Sequence, residues 1–255
     1  MPTGPLAAFK ELLAIDSRVI CLHDLLADTF AATRTSSTRA AAELHVVANV
    51  LDGSARRVKL TGERTSDVGP WRRVEDWVRG RLLRFDLGYY RSHLFDRIDA
   101  HGGSFLTRTK STFNPTLVAV NRAWRGRSID VVGQRLGEVL PRLQREVLDA
   151  EVQVGFEERP YNGKTRGRQK TRTFRLVAVR DEKSGQYHVD LTNVPAETVP
   201  ARDITRTCAL RWQVEIWFKA LKTHGRLDQL PISKRAVVEC LVGSSVLAAL
   251  VSQRL

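Results

Sequence analysis

Three carboxylates stand apart in this chain by the company they keep. Asp16 interrupts Leu12–Leu22, a run that is apolar on both sides of it. Asp86 follows the short apolar run from Leu82 and is followed two residues later by Gly88. Glu215 lies in the segment Cys208–Lys222, whose Leu210, Val214, Trp217, Phe218 and Leu221 have the spacing of a core-facing helical stripe. At about 100° per residue, Cys208, Arg211, Glu215 and Lys222 fall on another arc of that helix, roughly 60° wide. Acids carried on two strands and a helix are suited to hard divalent cations, which take oxygen ligands. Two Mg²⁺ ions roughly 4 Å apart can activate a water or a 3′-hydroxyl and stabilise the leaving oxygen of an in-line displacement.

Each acid also has a purely structural reading. Asp16 can mark a solvent-exposed strand end. Asp86 can cap the helix that follows it. Glu215 can pair with Arg211 one turn away on a solvated helix face. A trio of acids is weak evidence alone; the elements that carry them decide.

Leu12–Leu22 reads as a strand covered on both faces. The stretch from Thr33 to Arg39 is a polar loop, Ala42–Leu51 a strand, Asp52 and Gly53 a tight turn, and Arg57–Thr61 the returning strand. Pro70 suits the first turn of a helix carrying Val74, Trp77 and Val78. A short strand then ends at Asp86, a helix with Tyr90, Leu94 and Ile98 stops at Gly102 and Gly103, and residues 104–110 form a further strand. Ile129–Leu148 has a helical pattern. Val152, Val154 and Phe156 alternate as a strand, and residues 173–179 and 187–192 flank a hairpin at Asp181–Gly185. Gly225 stops the helix of Glu215, and Ser233 caps a last one over residues 234–254. Three strands, helix, strand, helix, strand, an interruption and a late acidic helix give an α/β chain whose order matches a ribonuclease H-like fold. The expected segments are a first part of the core (1–110), a mainly β insertion (111–200) and a C-terminal helical part (201–255).

The net charge is +13, with 41 Lys and Arg against 28 Asp and Glu, and hydrophobic residues make up 42%. That balance points to a soluble protein with a polyanionic partner, nucleic acid first. Lys164, Arg166, Arg168, Lys170 and Arg172 recur at every second position, so an extended backbone would line them up as a phosphate-tracking strip. A flexible basic loop is the alternative. Trp124, among Arg122, Arg125 and Arg127, could stack on an unpaired base or simply pack. The three cysteines and six histidines make no metal-ligand pattern, as suits a reduced cytosolic protein. No signal peptide is visible, and the apolar stretch Val237–Val251 is interrupted by Glu239 and short for a membrane span.

The chain resembles the DDE transposases of bacterial insertion sequences whose helix motif is tyrosine, two residues, arginine, three residues, glutamate, six residues, lysine. Arg211, Glu215 and Lys222 match it at the required intervals. Asp16 between Ile15 and Ser17 looks like the family's first-aspartate strand, and Asp86 with Gly88 and Tyr89 like its second-aspartate motif. Leu191, Thr192 and Asn193 also fit the pattern. The resemblance covers nearly the whole chain. It implies that Asp16, Asp86 and Glu215 are catalytic and bind two Mg²⁺ or Mn²⁺ ions, and that Arg211 and Lys222 contact DNA. It implies nicking of donor DNA at the element's ends, then attack of the freed 3′-hydroxyl on target DNA, by a homodimer assembled on the ends. The β insertion would help hold the DNA end.

Three departures qualify this. Cys208 stands at the tyrosine position, and Arg18 where the family commonly has threonine. Only about fifteen residues precede Asp16, whereas the family usually carries a helical DNA-binding region there, so a copy truncated at its N-terminus is expected. Two rivals follow: an inactive DNA-binding remnant, and a metal-dependent nuclease without strand transfer.

Overall fold

The computed structural model describes residues 2, 4–33, 38–64, 71, 73–121, 129–158, 167–209, 212–225, 227 and 229–252. The chain divides into two compact units, residues 12–72 with 211–255 and residues 1–11 with 73–210.

In the first unit, β1 (Leu12–Leu22), β2 (Ala40–Asn49) and β3 (Ala55–Gly62) run antiparallel with β2 in the middle. All ten residues of β2 are buried, which explains why the strand lacks an apolar–polar alternation: both of its faces are covered. The β2–β3 connection turns at Gly53, whose φ of 68° lies in the region glycine adopts without a Cβ clash. The Asp52 carboxylate there accepts the Ser54 N–H at 2.9 Å. A late strand, β10 (Gln229–Leu230), pairs in parallel with β1 through Cys21↔Gln229 and Leu22↔Leu230. Helix α4 (Trp212–Gly225) packs on β1, and α5 (Arg235–Ser252) packs on α4. The expected stripe is the face that α4 buries: Val214, Trp217, Phe218 and Leu221 are at most 6% exposed. Leu210 lies outside the described residues.

In the second unit, β4 (Leu82–Phe85) and β5 (Ser104–Arg108) are parallel and joined through α1 (Ser92–Ala100), the crossover that parallel neighbours require. Beyond β5 the sheet continues antiparallel through β9 (Tyr187–Thr192), β8 (Gln169–Arg180), β7 (Val147–Glu157) and β6 (Thr116–Val120). The strands of segment 111–200 therefore extend the sheet of β4 and β5. A division at residue 110 cuts through that sheet. Helices α1 and α3 (Ala201–Ala209) pack on it.

Two helix expectations come out differently. In Ile129–Leu148 the structure has one helical turn, α2 (Leu136–Val139), and a 3-10 turn, Leu140–Arg142. Pro141 has no N–H to continue a helix, and Val147 and Leu148 pair with Val179 and Ala178 as the start of β7. After Pro70, Trp71 and Asp76–Val78 have 3-10 conformation, where a longer helix is expected; Asp67–Pro70 and Arg72 lie outside the described residues.

Candidate active site

Along β1 the cover lifts at Asp16. Leu12 to Ile15 are buried, Asp16 and Ser17 half-buried, and Arg18 and Val19 exposed. Asp16 is thus neither sealed in the core nor at the strand's end. Its Oδ1 accepts the Ser17 N–H at 2.8 Å. Successive strand residues point to opposite faces, so Ser17 looks away from Asp16, toward its cross-strand partner His45 and neighbour Glu43. There the Ser17 hydroxyl donates to Glu43 Oε1 at 2.6 Å, Glu43 Oε2 lies 3.7 Å from His45 Nε2, and His45 Nε2 is 2.9 Å from Thr61 Oγ1. Burial, helped by the Lys59 charge, lowers the His45 pKa from 6.5 to about 4. The Glu43–His45 contact is therefore no ion pair at neutral pH, despite its distance. This buried polar row escaped sequence reading; its signal was two polar residues two apart inside a strand with no solvent face.

Asp86 sits one residue past β4, at the N-cap of the 3-10 turn Leu87–Tyr89, with extended φ −77° and ψ 164°. Its main-chain oxygen accepts the Tyr89 N–H at 3.1 Å, yet its carboxylate makes no cap bond. The structural alternative for this residue, a helix cap, is thus not what its side chain does. Tyr89, 1% exposed and 6.2 Å ring to ring from Phe85, pins the turn into the core and leaves the carboxylate half-buried beside it. The Leu191–Asn193 motif closes the same sheet. Thr192 Oγ1 donates to Phe105 O at 2.5 Å, and Asn193 Oδ1 accepts the Phe105 N–H at 2.8 Å. The Asn193 amide also donates to Asp99 Oδ1 at 2.8 Å and to Gly103 O at 3.0 Å.

Glu215 is exposed on the first turn of α4. Asp16 and Glu215 belong to one unit, in which α4 packs on β1; Asp86 belongs to the other. Carboxylate oxygens are the donors Mg²⁺ takes, so the chemistry of the set fits. Among the described residues, however, no three His, Cys, Asp or Glu side chains are gathered closely enough to hold a metal ion. Cys208 lies on α3 and Lys222 on α4. Their side chains, like Arg211, Trp124, Arg122, Arg125, Arg127, Lys164 and Arg166, fall outside the described residues.

Of the basic strip, Arg168 is exposed, just before β8. Lys170 and Arg172 are on β8 and are spent on α1. Lys170 Nζ lies 2.7 Å from Asp96 Oδ2, Arg172 Nε 2.9 Å from Asp96 Oδ1, and Arg172 Nη2 2.5 Å from Asp99 Oδ2. Deeper on the same strand, Arg175 is 2% exposed and bonds Asp149 with both arms of its fork, Nε to Oδ1 at 2.9 Å and Nη2 to Oδ2 at 2.6 Å. Its Nη1 donates to the carbonyls of Val194, Pro195 and Val199, the segment leading into α3. That pair was also missed; Asp149 and Arg175 lie in the buried stretches of strands that carry further charges elsewhere.

With this geometry in hand, comparison with known proteins gives the class and then the family. The piggyBac transposase, solved in a synaptic complex with hairpin DNA, matches 95% of this chain and 46% of its own at a TM-score of 0.50 and 8% identity. At that identity the likeness speaks for the fold alone, which is the ribonuclease H-like α/β fold read from the element order. The family described as "Transposase DDE domain" matches residues 7–251, and the chain belongs to it. A transposase for insertion sequence element IS231F from Bacillus thuringiensis subsp. israelensis is 23% identical over 197 residues, 66% of this chain and 40% of the relative. The chain therefore spans about two fifths of the length of that curated relative. No described helix is long and apolar enough to cross a membrane.

Proposed function

We propose that this chain cuts DNA at the ends of an insertion sequence and joins the freed 3′-hydroxyl to target DNA, acting in the bacterial cytoplasm. In this reading Asp16, Asp86 and Glu215 hold two Mg²⁺ or Mn²⁺ ions. When bound, the ions would activate the attacking oxygen and stabilise the leaving one. The chain's own part is to supply ionised oxygen donors on rigid elements and cations that hold the DNA. The Ser17 N–H fixes one oxygen of Asp16. The buried Tyr89 fixes the turn that carries Asp86. Arg211 and Lys222 are the residues for phosphates near the cut, and exposed Arg168, with Lys164 and Arg166, for the flanking backbone. Two copies assembled on paired ends would bring both ends to one target, and segment 111–200 would help hold each end.

The observation that carries this reading is Asp86: a half-buried carboxylate at a cap position that it does not use for capping. The test is nicking of supercoiled DNA by the purified chain with Mg²⁺ or Mn²⁺, compared with Asp16→Ala, Asp86→Ala and Glu215→Ala. Loss of nicking in all three is expected; equal nicking by parent and variants defeats the assignment. Joining of precut element ends to target DNA separates a transposase from a nuclease, which would cut and never join.

A further inference from the structure

Arg84 is the penultimate residue of β4, two before Asp86, and is only 8% exposed. Its Nη1 donates to the carbonyl oxygens of Phe85 and, at 3.5 Å, of Leu106. Its Nε is shut off from solvent and has no acceptor. No carboxylate among the described residues pairs with it. Arg175 in the same unit shows what a settled buried arginine looks like: two bonds to Asp149 and three carbonyls around the remaining nitrogen. A guanidinium taken out of water loses several kcal/mol of solvation unless an anion restores it. Two carbonyl dipoles, one at the limit of hydrogen-bond distance, restore part of that. Among the described residues, Arg84 is a buried charge without an anionic partner.

We propose that Arg84 takes a DNA phosphate beside Asp86. The backbone is extended from β4 through Asp86, so residues two apart leave it on the same side. Cation and acid therefore face one way. A guanidinium makes charge-assisted bonds to phosphate oxygens, and such a pair formed in a water-poor setting is strong. The phosphate would compensate Arg84 while bringing its ester beside the carboxylate. The anion's identity as DNA rests on the function proposed above; the need for an anion rests on Arg84's surroundings.

The test uses Arg84→Met and Arg84→Lys in the full chain. Three readouts are needed: thermal unfolding without DNA, affinity for a short labelled duplex across a salt series, and nicking. Arg84→Met removes an uncompensated buried charge, so it should melt at or above the parent's temperature. It should lose about tenfold in duplex affinity, and its slope of log affinity against log salt should fall by about one. Arg84→Lys should recover part of the slope. A Met variant that melts lower while binding DNA with unchanged affinity and slope makes Arg84 a clamp between β4 and β5, and overturns the proposal. Should Arg84→Met both melt early and bind weakly, recovery of the slope by Arg84→Lys supports the phosphate role and absence of recovery overturns it. The metal reading fails separately: nicking by Asp86→Ala at the parent's rate defeats it and leaves the duplex slopes to judge Arg84.

Discussion

Lys170 Nζ lies 2.7 Å from Asp96 Oδ2, so a cation that alternation alone would assign to an open DNA-facing row is tied to helix α1. Arg172 is tied beside it. Its Nε contact with Asp96 Oδ1 is an ion pair without hydrogen-bond alignment, and its Nη2 bonds Asp99. The Asp96 side chain is 7% exposed and lies between these two cations. Arg172→Ala should therefore cost about 1–3 kcal/mol in denaturant unfolding, with little change in the salt dependence of DNA binding. Arg168→Ala should do the reverse: stability within about 0.5 kcal/mol and a salt slope lower by about one. The opposite pattern would mean that the strip, not the helix, is what Arg172 serves.

Asp86 gives a contrast between stability and chemistry. Its carboxylate makes no cap bond and is half-buried. Asp86→Asn keeps its shape and should leave unfolding free energy within about 0.5 kcal/mol of the parent while nicking is lost. A large drop in stability would show that the carboxylate serves the fold.

The Asp149–Arg175 pair should behave as a buried charge pair does when it is halved. Asp149→Ala leaves Arg175 without its acid and should cost about 3–5 kcal/mol. The double change Asp149→Leu with Arg175→Met removes both charges and should recover much of that loss. Chemical denaturation of the three proteins measures it; a double variant no better than the single would show that the carbonyl contacts to Val194, Pro195 and Val199 matter more.

His45 sets a pH dependence. Its pKa in the fold is lowered to about 4 by burial and by Lys59, against 6.5 unperturbed. Between those values the unfolded chain binds a proton that the fold refuses, so stability falls as pH drops through the window. The shift corresponds to about 3 kcal/mol. His45→Gln should flatten the stability profile across that window relative to the parent. Parallel profiles would mean that His45 takes up its proton in the fold as readily as in the unfolded chain.

What was legible was whatever local pattern controls. The three antiparallel strands β1 to β3, the order β4, α1, β5, the turn at Gly53, the buried stripe of α4 and the positions of Asp16 inside β1 and Asp86 just past β4 follow from periodicity and turn chemistry. What was not legible depends on partners far along the chain. Lys170 and Arg172 look free until α1 lies beside β8. Val147 and Leu148 extend a helical pattern until Val179 and Ala178 offer them a ladder. Glu43 and His45 give no hint of Ser17, a residue on another strand. Arg84 was passed over because a single arginine in an apolar run has no period to betray it.

The pairing of Cys21 with Gln229 carries a consequence for the order of events during synthesis. Strand β1 waits for β10, made much later, so the unit holding Asp16 and Glu215 cannot close its sheet until Gln229 and Leu230 have left the ribosome. The unit of residues 73–210 needs no such delay and has its six strands in hand earlier. Two of the three acids thus come into their final setting last, after the sheet that carries Asp86 and the basic residues of β8 has been made.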